Sequence, residues 1–384
     1  MNLIAQIDSR YPATQDLRLR SKEKVPRFAF EYLDGGCNED VNIVRNTKEI
    51  RDVKLMPRYL RNYGESSLKT SLFGIEYDAP FGISPVGLQG LMWPNSPEIL
   101  AKAAFEHNIP FILSTVTTMS IERASELTEG KVWFQLYNPV NDHVRNDIIG
   151  RAESAGCPVL VLLCDVPTFG YRPRDIKNGL ALPPKMSVKN ILQTLGKPEW
   201  AIKTLRYGQP TFETLKPYIP EGLNLKQLGF FMDKTFSGKL NREKIMPIRD
   251  KWKGKLVLKG VASEEDTKDA IDMGFDGIIV SNHGGRQLDA AESTIAPLSR
   301  IAEKYKDQLT IMMDSGIQSG PDIARSLASG ADFTFMGRSF MYSVGALGNK
   351  GGNHAIAMFK RQLGQVMNQL CCKKIEDLPN HLIK

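Results

Sequence analysis

The chain has 384 residues, 42% hydrophobic and 24% charged, with a formal net charge of +7. That is enough for one large α/β barrel or two ordinary domains, while the lack of any apolar window of about 18 residues excludes a transmembrane helix. None of the five cysteines has zinc spacing, no nucleic-acid motif is present, and the basic balance points instead to an anionic substrate, a phosphate-bearing cofactor or an acidic membrane surface.

Residues 1–24 carry Asp8, Arg10, Asp16, Arg18, Arg20 and Lys22 without an apolar core, so they are not a secretory signal. With the cysteine usage, this predicts a cytoplasmic protein. Residues 22–36 read as a short helix stopped at Gly35-Gly36. Residues 38–78 read as a cap: a helical stretch, then a hairpin over Ser71–Tyr77. From Ala79 short apolar runs alternate with helical patterns. Eight strands are predicted: Pro80–Ser84, Phe111–Ser114, Val132–Tyr137, Val159–Asp165, Lys255–Lys259, Gly277–Ser281, Leu309–Asp314 and Phe333–Met336. Helices are predicted over Pro97–Asn108, Ser263–Met273, Glu292–Tyr305 and Gly320–Ser329. Eight βα repeats over about 250 residues are the content of a (β/α)8 TIM barrel. An open doubly wound sheet is the runner-up, but no Gly-x-Gly-x-x-Gly follows the first strand.

A long insertion, about 173–241, separates the fourth and fifth strands. In it Val188, Ile191, Leu192 and Leu195 recur at helical spacing after Ser187, a candidate N-cap. Pro198–Tyr207 follows, with Trp200, Ile202 and Leu205 beside Lys203 and Arg206. From Leu180 to Lys226 seven Lys or Arg face three Glu. A basic, apolar, Trp-bearing segment suits a membrane interface; a lid over the barrel mouth or a subunit contact fits as well.

The stretch Ser281-Asn-His-Gly-Gly-Arg-Gln287 ends the sixth strand in hydrogen-bonding and titratable side chains. His283 and Arg286 flank a Gly-Gly that can aim imidazole and guanidinium at one small anion. Other strand ends supply Gln135 and Tyr137, Asp165 and Arg172, Lys259, Asp314 and Gly316, and Gly337 and Arg338. No Cys/His metal set and no serine elbow accompany them, so no metal is expected. The seventh and eighth loops, Asp314–Gly320 and Gly337-Arg338, offer a phosphate site.

The Ser281–Gln287 string resembles the active-site signature of the FMN-dependent 2-hydroxy-acid dehydrogenases and oxidases. With Leu91-Met-Trp-Pro94, Trp133-Phe-Gln-Leu-Tyr137 and Gly170-Tyr-Arg172, it is most similar to the mandelate dehydrogenase and flavin L-lactate dehydrogenase branch. The resemblance implies a single domain over 1–384: a cap (1–78), a barrel (79–345) with the insertion, and a C-terminal helical segment (346–384). It implies FMN as cofactor and oxidation of an (S)-2-hydroxy acid to the 2-oxo acid. His283 would be the base and Asp165 its orienting carboxylate. Arg172 and Arg286 would bind the substrate carboxylate, with Tyr32 and Tyr137 hydrogen-bonding the substrate. Pro85, Val86, Gly87, Ser114, Gln135, Lys259, Ser281, Asp314, Gly316 and Gln318 would contact the flavin, and Gly337 and Arg338 its phosphate.

Three departures stand out. Leu163 replaces the family's usual Thr, Gln318 its usual seventh-loop Arg, and Val116 the aromatic of glycolate oxidase. The first two imply weaker FMN retention. Val116, with Gly87 where many members have Ala, implies a roomier pocket. No haem domain precedes the barrel, so no cytochrome is expected in cis. The insertion favours a quinone or other membrane acceptor on the inner face of the cell membrane; oxygen is the alternative. A homotetramer is expected by resemblance. The rivals are a non-catalytic flavin or carboxylate sensor, and the flavin-dependent isopentenyl-diphosphate isomerase. The retained His283, Asp165, Arg172 and Arg286 argue against the first, and the second would not need the His283, Arg172 and Arg286 set.

Overall fold

The computed structural model describes residues 7–383 except 61–63, 65, 181–186, 224–226, 228–230, 232–233 and 237–239. All eight predicted strands are present: β3 (Phe81–Ile83), β4 (Ile112–Ser114), β5 (Trp133–Leu136), β6 (Val159–Leu163), β7 (Lys255–Val261), β8 (Gly277–Val280), β9 (Thr310–Met313) and β10 (Phe333–Met336). They pair in parallel in the order β3-β10-β9-β8-β7-β6-β5-β4. A parallel bridge from Ile83 to Phe111 brings β3 beside β4 and closes the ring. The fold is a (β/α)8 barrel.

Residue parity along each strand decides what fills the barrel. In β6, Val159 and Val161 belong to the inner core, while Leu160 and Leu162 belong to the layer under the helices. Ile112, Trp133, Val257, Ile279, Met312, Phe333 and Phe335 are the other strands' contributions to the inner core. Continuing each strand by two residues puts Gln135, Lys259, Ser281, Asp314 and Gly337 on the inward parity at the C-terminal mouth. The opposite mouth is plugged by the predicted hairpin, β1 (Thr70–Leu72) and β2 (Ile75–Tyr77). Leu72 and Tyr77 join the inner core, and Trp133 Nε1 donates to Tyr77 Oη at 3.3 Å.

The single helix read over 22–36 is corrected to two, Thr14–Lys24 and Arg27–Asp34. Val25 is extended (φ −100°, ψ 140°) because Pro26 follows it, and the chain turns there. Thr14–Lys24 was missed because it has little apolar periodicity; it packs through Leu17 and Ser21 on the helix Arg338–Leu347. In the C-terminal segment the helix Gly351–Leu370 packs between Ser96–Glu106 and Gly320–Ala328 as part of the outer shell.

The insertion forms the expected helix Val188–Leu195, where Ser187 Oγ accepts from Asn190 N, and the stretch after it is a second helix, Pro198–Tyr207. The stripe of Val188, Ile191, Leu192 and Leu195 is exposed. Trp200 corrects the interface expectation. It is buried, donates Nε1–H to the Leu91 and Met92 carbonyls, and packs edge-on against Phe28. It anchors the insertion to the barrel and is no part of an exposed face. Of the basic residues counted there, Lys185 and Lys226 lie outside the described residues. No helix among the described residues is long and apolar enough to cross a membrane.

Candidate active site

The barrel mouth opens into a cavity of about 1170 Å³. Small-molecule sites run to roughly 1,000 Å³, so this one has room for a cofactor and a substrate together. Its wall includes Tyr32, Pro85, Val86, Gly87, Tyr137, Arg172, Lys259, His283, Arg286, Asp314, Gly316, Gln318, Gly337 and Arg338. Ser114, Gln135 and Ser281 do not line it; they are buried beneath, and Asp165 stands behind His283.

His283 has a left-handed backbone (φ 57°), followed by Gly284 (φ 67°) and Gly285 (φ 73°). Three consecutive left-handed residues turn the chain back over the mouth, and a Cβ at Gly284 would lie 2.7 Å from Arg338 Nη1. The turn is held by His283 N donating to Ser281 Oγ and Gly284 N to Ser315 Oγ.

His283 Nδ1 lies 3.1 Å from Asp165 Oδ1. The carboxylate favours the tautomer with the proton on Nδ1, which leaves the Nε2 lone pair as the base. Burial pushes the His283 pKa down, Asp165 opposes this, and Lys259 and Arg172 add to it. Asp165 is fixed from two sides: its carbonyl accepts from Gln287 Nε2, and a Cβ on Gly260 would stand 2.6 Å from its own Cβ.

Two guanidinium groups share the cavity. Arg286 Nη1 donates to the Tyr32 and Gly35 carbonyls, both at 2.7 Å, with its guanidinium over the Tyr32 ring. Arg172 Nη2 donates to Gln287 Oε1 at 3.3 Å, and its buried Nε has no acceptor among the described residues. Burial and then the Arg172 charge push the Arg286 pKa down. Asp175, 3.9 Å from Arg172, is one carboxylate beside two guanidiniums, so their spare N–H groups can take a further anion, and a planar carboxylate matches them. Burial also raises the Tyr32 and Tyr137 phenols, which therefore stay neutral donors.

On the far side Lys259 Nζ sits 2.8 Å from Asp314 Oδ2 and 2.7 Å from Ser281 Oγ. Burial alone would raise the Asp314 carboxyl, but Lys259 beside it holds it low. At the loop-seven end, Gly316 (φ 88°) leads to the helix Gly320–Ala328 and Gly337 to the helix Arg338–Leu347. Arg338 donates to the carbonyls of Leu33, Gly284 and Gly35, which uses three of its five N–H groups. The donor set fits a phosphate-tailed flavin: a buried ammonium at one end, two helix N-termini with a guanidinium at the other, and a glycine wall. At Gly87 a Cβ would meet Val116 Cγ2 at 3.1 Å.

Sequence reasoning assigned no role to several residues that build the site. Gln287 links Arg172 to the Asp165 backbone, and its place in the polar string was the available signal. Asn282 bonds to both Asn42 and Asn46, tying the cap to the sixth loop. Phe212 and Phe236 from the insertion line the mouth, with Phe236 edge-on to Tyr137.

Comparison with known proteins agrees with this geometry. The family model described as FMN-dependent dehydrogenase matches residues 21–384. The chain is 37% identical over 367 residues to an L-lactate dehydrogenase of Vibrio parahaemolyticus, covering 95% of this chain and 97% of the relative. Its structure superposes on a crystal structure of the monotopic membrane protein (S)-mandelate dehydrogenase with a TM-score of 0.92 and 31% identity, over 98% of this chain and 100% of that one. A mandelate oxidase superposes with a TM-score of 0.82 and 28% identity, over 96% and 97%. The chain belongs to the FMN-dependent dehydrogenase family. It is an FMN-dependent enzyme that oxidises a 2-hydroxy acid.

Proposed function

We propose that the substrate is an (S)-2-hydroxy acid with a side chain larger than that of glycolate, lactate- or mandelate-like, and that the electrons leave for a quinone or another membrane-held acceptor. The observation that carries the reading is the His283–Asp165 pair beside two half-buried guanidinium groups, one with a buried N–H lacking an acceptor among the described residues. Bound FMN supplies a two-electron acceptor. Arg172 and Arg286 hold the substrate carboxylate, and the neutral phenols of Tyr32 and Tyr137 donate to substrate oxygens. His283 Nε2 takes a proton from C2 or its hydroxyl as the carbon is oxidised, and Asp165 steadies the resulting imidazolium. Pro85, Val86, Gly87, Lys259, Asp314 and Gly316 hold the flavin ring and ribityl chain, and Ser114, Gln135 and Ser281 support that floor from beneath. Gln318, Gly337 and Arg338 take the phosphate end. Val116, Phe212 and Phe236 face the substrate side chain and favour an apolar one.

The acceptor reading draws support from the insertion. Val188, Leu192, Leu195, Ile202 and Leu205 are all more than half exposed on two adjacent helices. A monotopic membrane enzyme is similar along nearly its whole length. We read this face as resting on the inner surface of the cell membrane, and the assembly as a homotetramer of single-domain chains. The test is anaerobic loss of flavin absorbance across a panel of 2-hydroxy acids, followed by re-oxidation with a quinone or with oxygen. Bleaching by bulky (S)-acids and faster recovery with quinone are expected. No bleaching by any 2-hydroxy acid overturns the site assignment, and recovery only with oxygen overturns the acceptor.

A further inference from the structure

We infer that Lys48, supplied by the N-terminal cap, is the cation that closes on the flavin phosphate in place of the arginine that loop seven lacks. Gln318 occupies that loop position and brings no charge. Its Nε2 donates to Thr47 Oγ1 at 3.3 Å, and Thr47 Oγ1 donates to the Gly316 carbonyl at 3.2 Å. Asn46 packs on the same glycine, whose notional Cβ would lie 2.8 Å from Asn46 Cβ. The helix Val41–Asp52 is therefore pinned to loop seven by Asn46 and Thr47, and the next residue, Lys48, lines the cavity beside Gln318.

Charge accounting at this rim singles out Lys48. Arg18 also lines the cavity, but its charge is paired with Asp34 through Nε and Nη2, at 2.6 and 2.9 Å. Arg51 lies 3.5 Å from Asp322. Lys48 is exposed, lines the cavity and has no ion pair among the described residues. An ammonium on a flexible stem can follow a dianionic phosphate where no planar fork is built, and its contact is a point charge that salt screens.

The proposal rests on the placement of the phosphate between loops seven and eight, so the experiment tests the two separately. The FMN dissociation constant is read from recovery of free-flavin fluorescence on dilution of the holoenzyme, and compared with protein exchanged into riboflavin, which lacks the phosphate. Lys48→Ala is expected to weaken FMN roughly tenfold, to leave riboflavin unchanged, and to flatten the salt dependence of FMN binding, whereas Lys48→Arg stays near wild type. Gln318→Arg in the Lys48→Ala background is expected to restore most of the loss. If Lys48→Ala leaves the ratio of FMN to riboflavin affinity unchanged, the assignment of Lys48 is overturned. If in that case Gln318→Arg alone still tightens FMN, the phosphate placement survives; if it does not, that placement falls too.

Discussion

The barrel mouth and the two exposed helices of the insertion depart from ordinary surface composition in opposite directions. At the mouth, charges are withdrawn from solvent: Lys259 is 3% exposed, and the half-buried Arg172, Arg286 and His283 face a shared cavity. On the insertion, apolar groups are left in the open, with Leu205 85% and Leu195 70% exposed. Each departure costs free energy in the isolated chain, and each is relieved by a different ligand. On the proposed reading a carboxylate and a phosphate would relieve the cations that Asp314 does not already pair, and an apolar phase would relieve the open leucines. If the proposed reading holds, chemistry and location are carried by separate surfaces, and substitutions in one should leave the other intact.

The largest expected effect is on the chemistry. His283→Ala should lower kcat by ~10²–10⁴-fold or more, because no other imidazole lines the cavity among the described residues. Flavin content should be retained, since the imidazole is not among the groups proposed to hold the cofactor. Vesicle binding should not change. Stopped-flow reduction and a flavin absorbance spectrum check both halves; normal reduction in this variant would remove His283 from its role.

Arg286→Lys should be nearly as damaging as Arg286→Ala, both on the order of 10²-fold in kcat/KM. The guanidinium reaches the Tyr32 and Gly35 carbonyls and still presents N–H groups to the cavity. A lysine ammonium cannot span that geometry. Recovery of most of the activity by lysine would mean that charge alone suffices and that the fork is not used.

The pH profile gives a subtler test. His283 must be neutral to act, and burial depresses its pKa below the ordinary 6.5. Activity is therefore expected to hold its plateau as pH falls through 6.5 and to drop only at lower pH. Asp165 is the group that pulls this pKa upward. In Asp165→Asn the acid limb should move to still lower pH while the plateau falls, because the base is weaker and its tautomer no longer fixed. A purely structural role for Asp165 would lower the plateau without moving the limb.

The barrel was legible because its strands obey a parity rule visible in one dimension. Val159-Leu-Val-Leu-Leu163 is apolar throughout, as a strand packed on both faces must be, and the polar residues begin where the mouth begins. Site residues on strand ends, such as Lys259 and Asp314, followed from that. What the sequence hid were contacts made across the chain. Nothing local marks Asn46 or Thr47 as partners of residues 236 and 271 positions away. Trp200 shows the same limit from the other side. Its neighbours Lys203 and Arg206 suggested an interface, yet the ring is consumed by Leu91, Met92 and Phe28, residues distant in sequence.

The smallest effect should come from the insertion, and it separates the two regions most cleanly. Leu192 and Leu205 lie on adjacent helices, are 64% and 85% exposed, and lie outside the cavity wall. Each buried leucine contributes ~1.5–3 kcal/mol when fully removed from water, and less in the boundary layer of a bilayer. Leu192→Asp with Leu205→Asp should therefore weaken binding to anionic vesicles roughly tenfold to a hundredfold, through lost burial and added repulsion from the surface charge. Turnover with a water-soluble dye as acceptor should stay at the wild-type value, because the mouth and its ion pairs are untouched, while turnover with a vesicle-borne quinone should fall with the binding. Flotation at low and high salt, run beside both assays, reads the three quantities. If vesicle binding persists and the assembly dissociates instead, the exposed leucines belong to a subunit contact, and the division of labour between mouth and insertion has to be redrawn with a protein partner in place of the lipid.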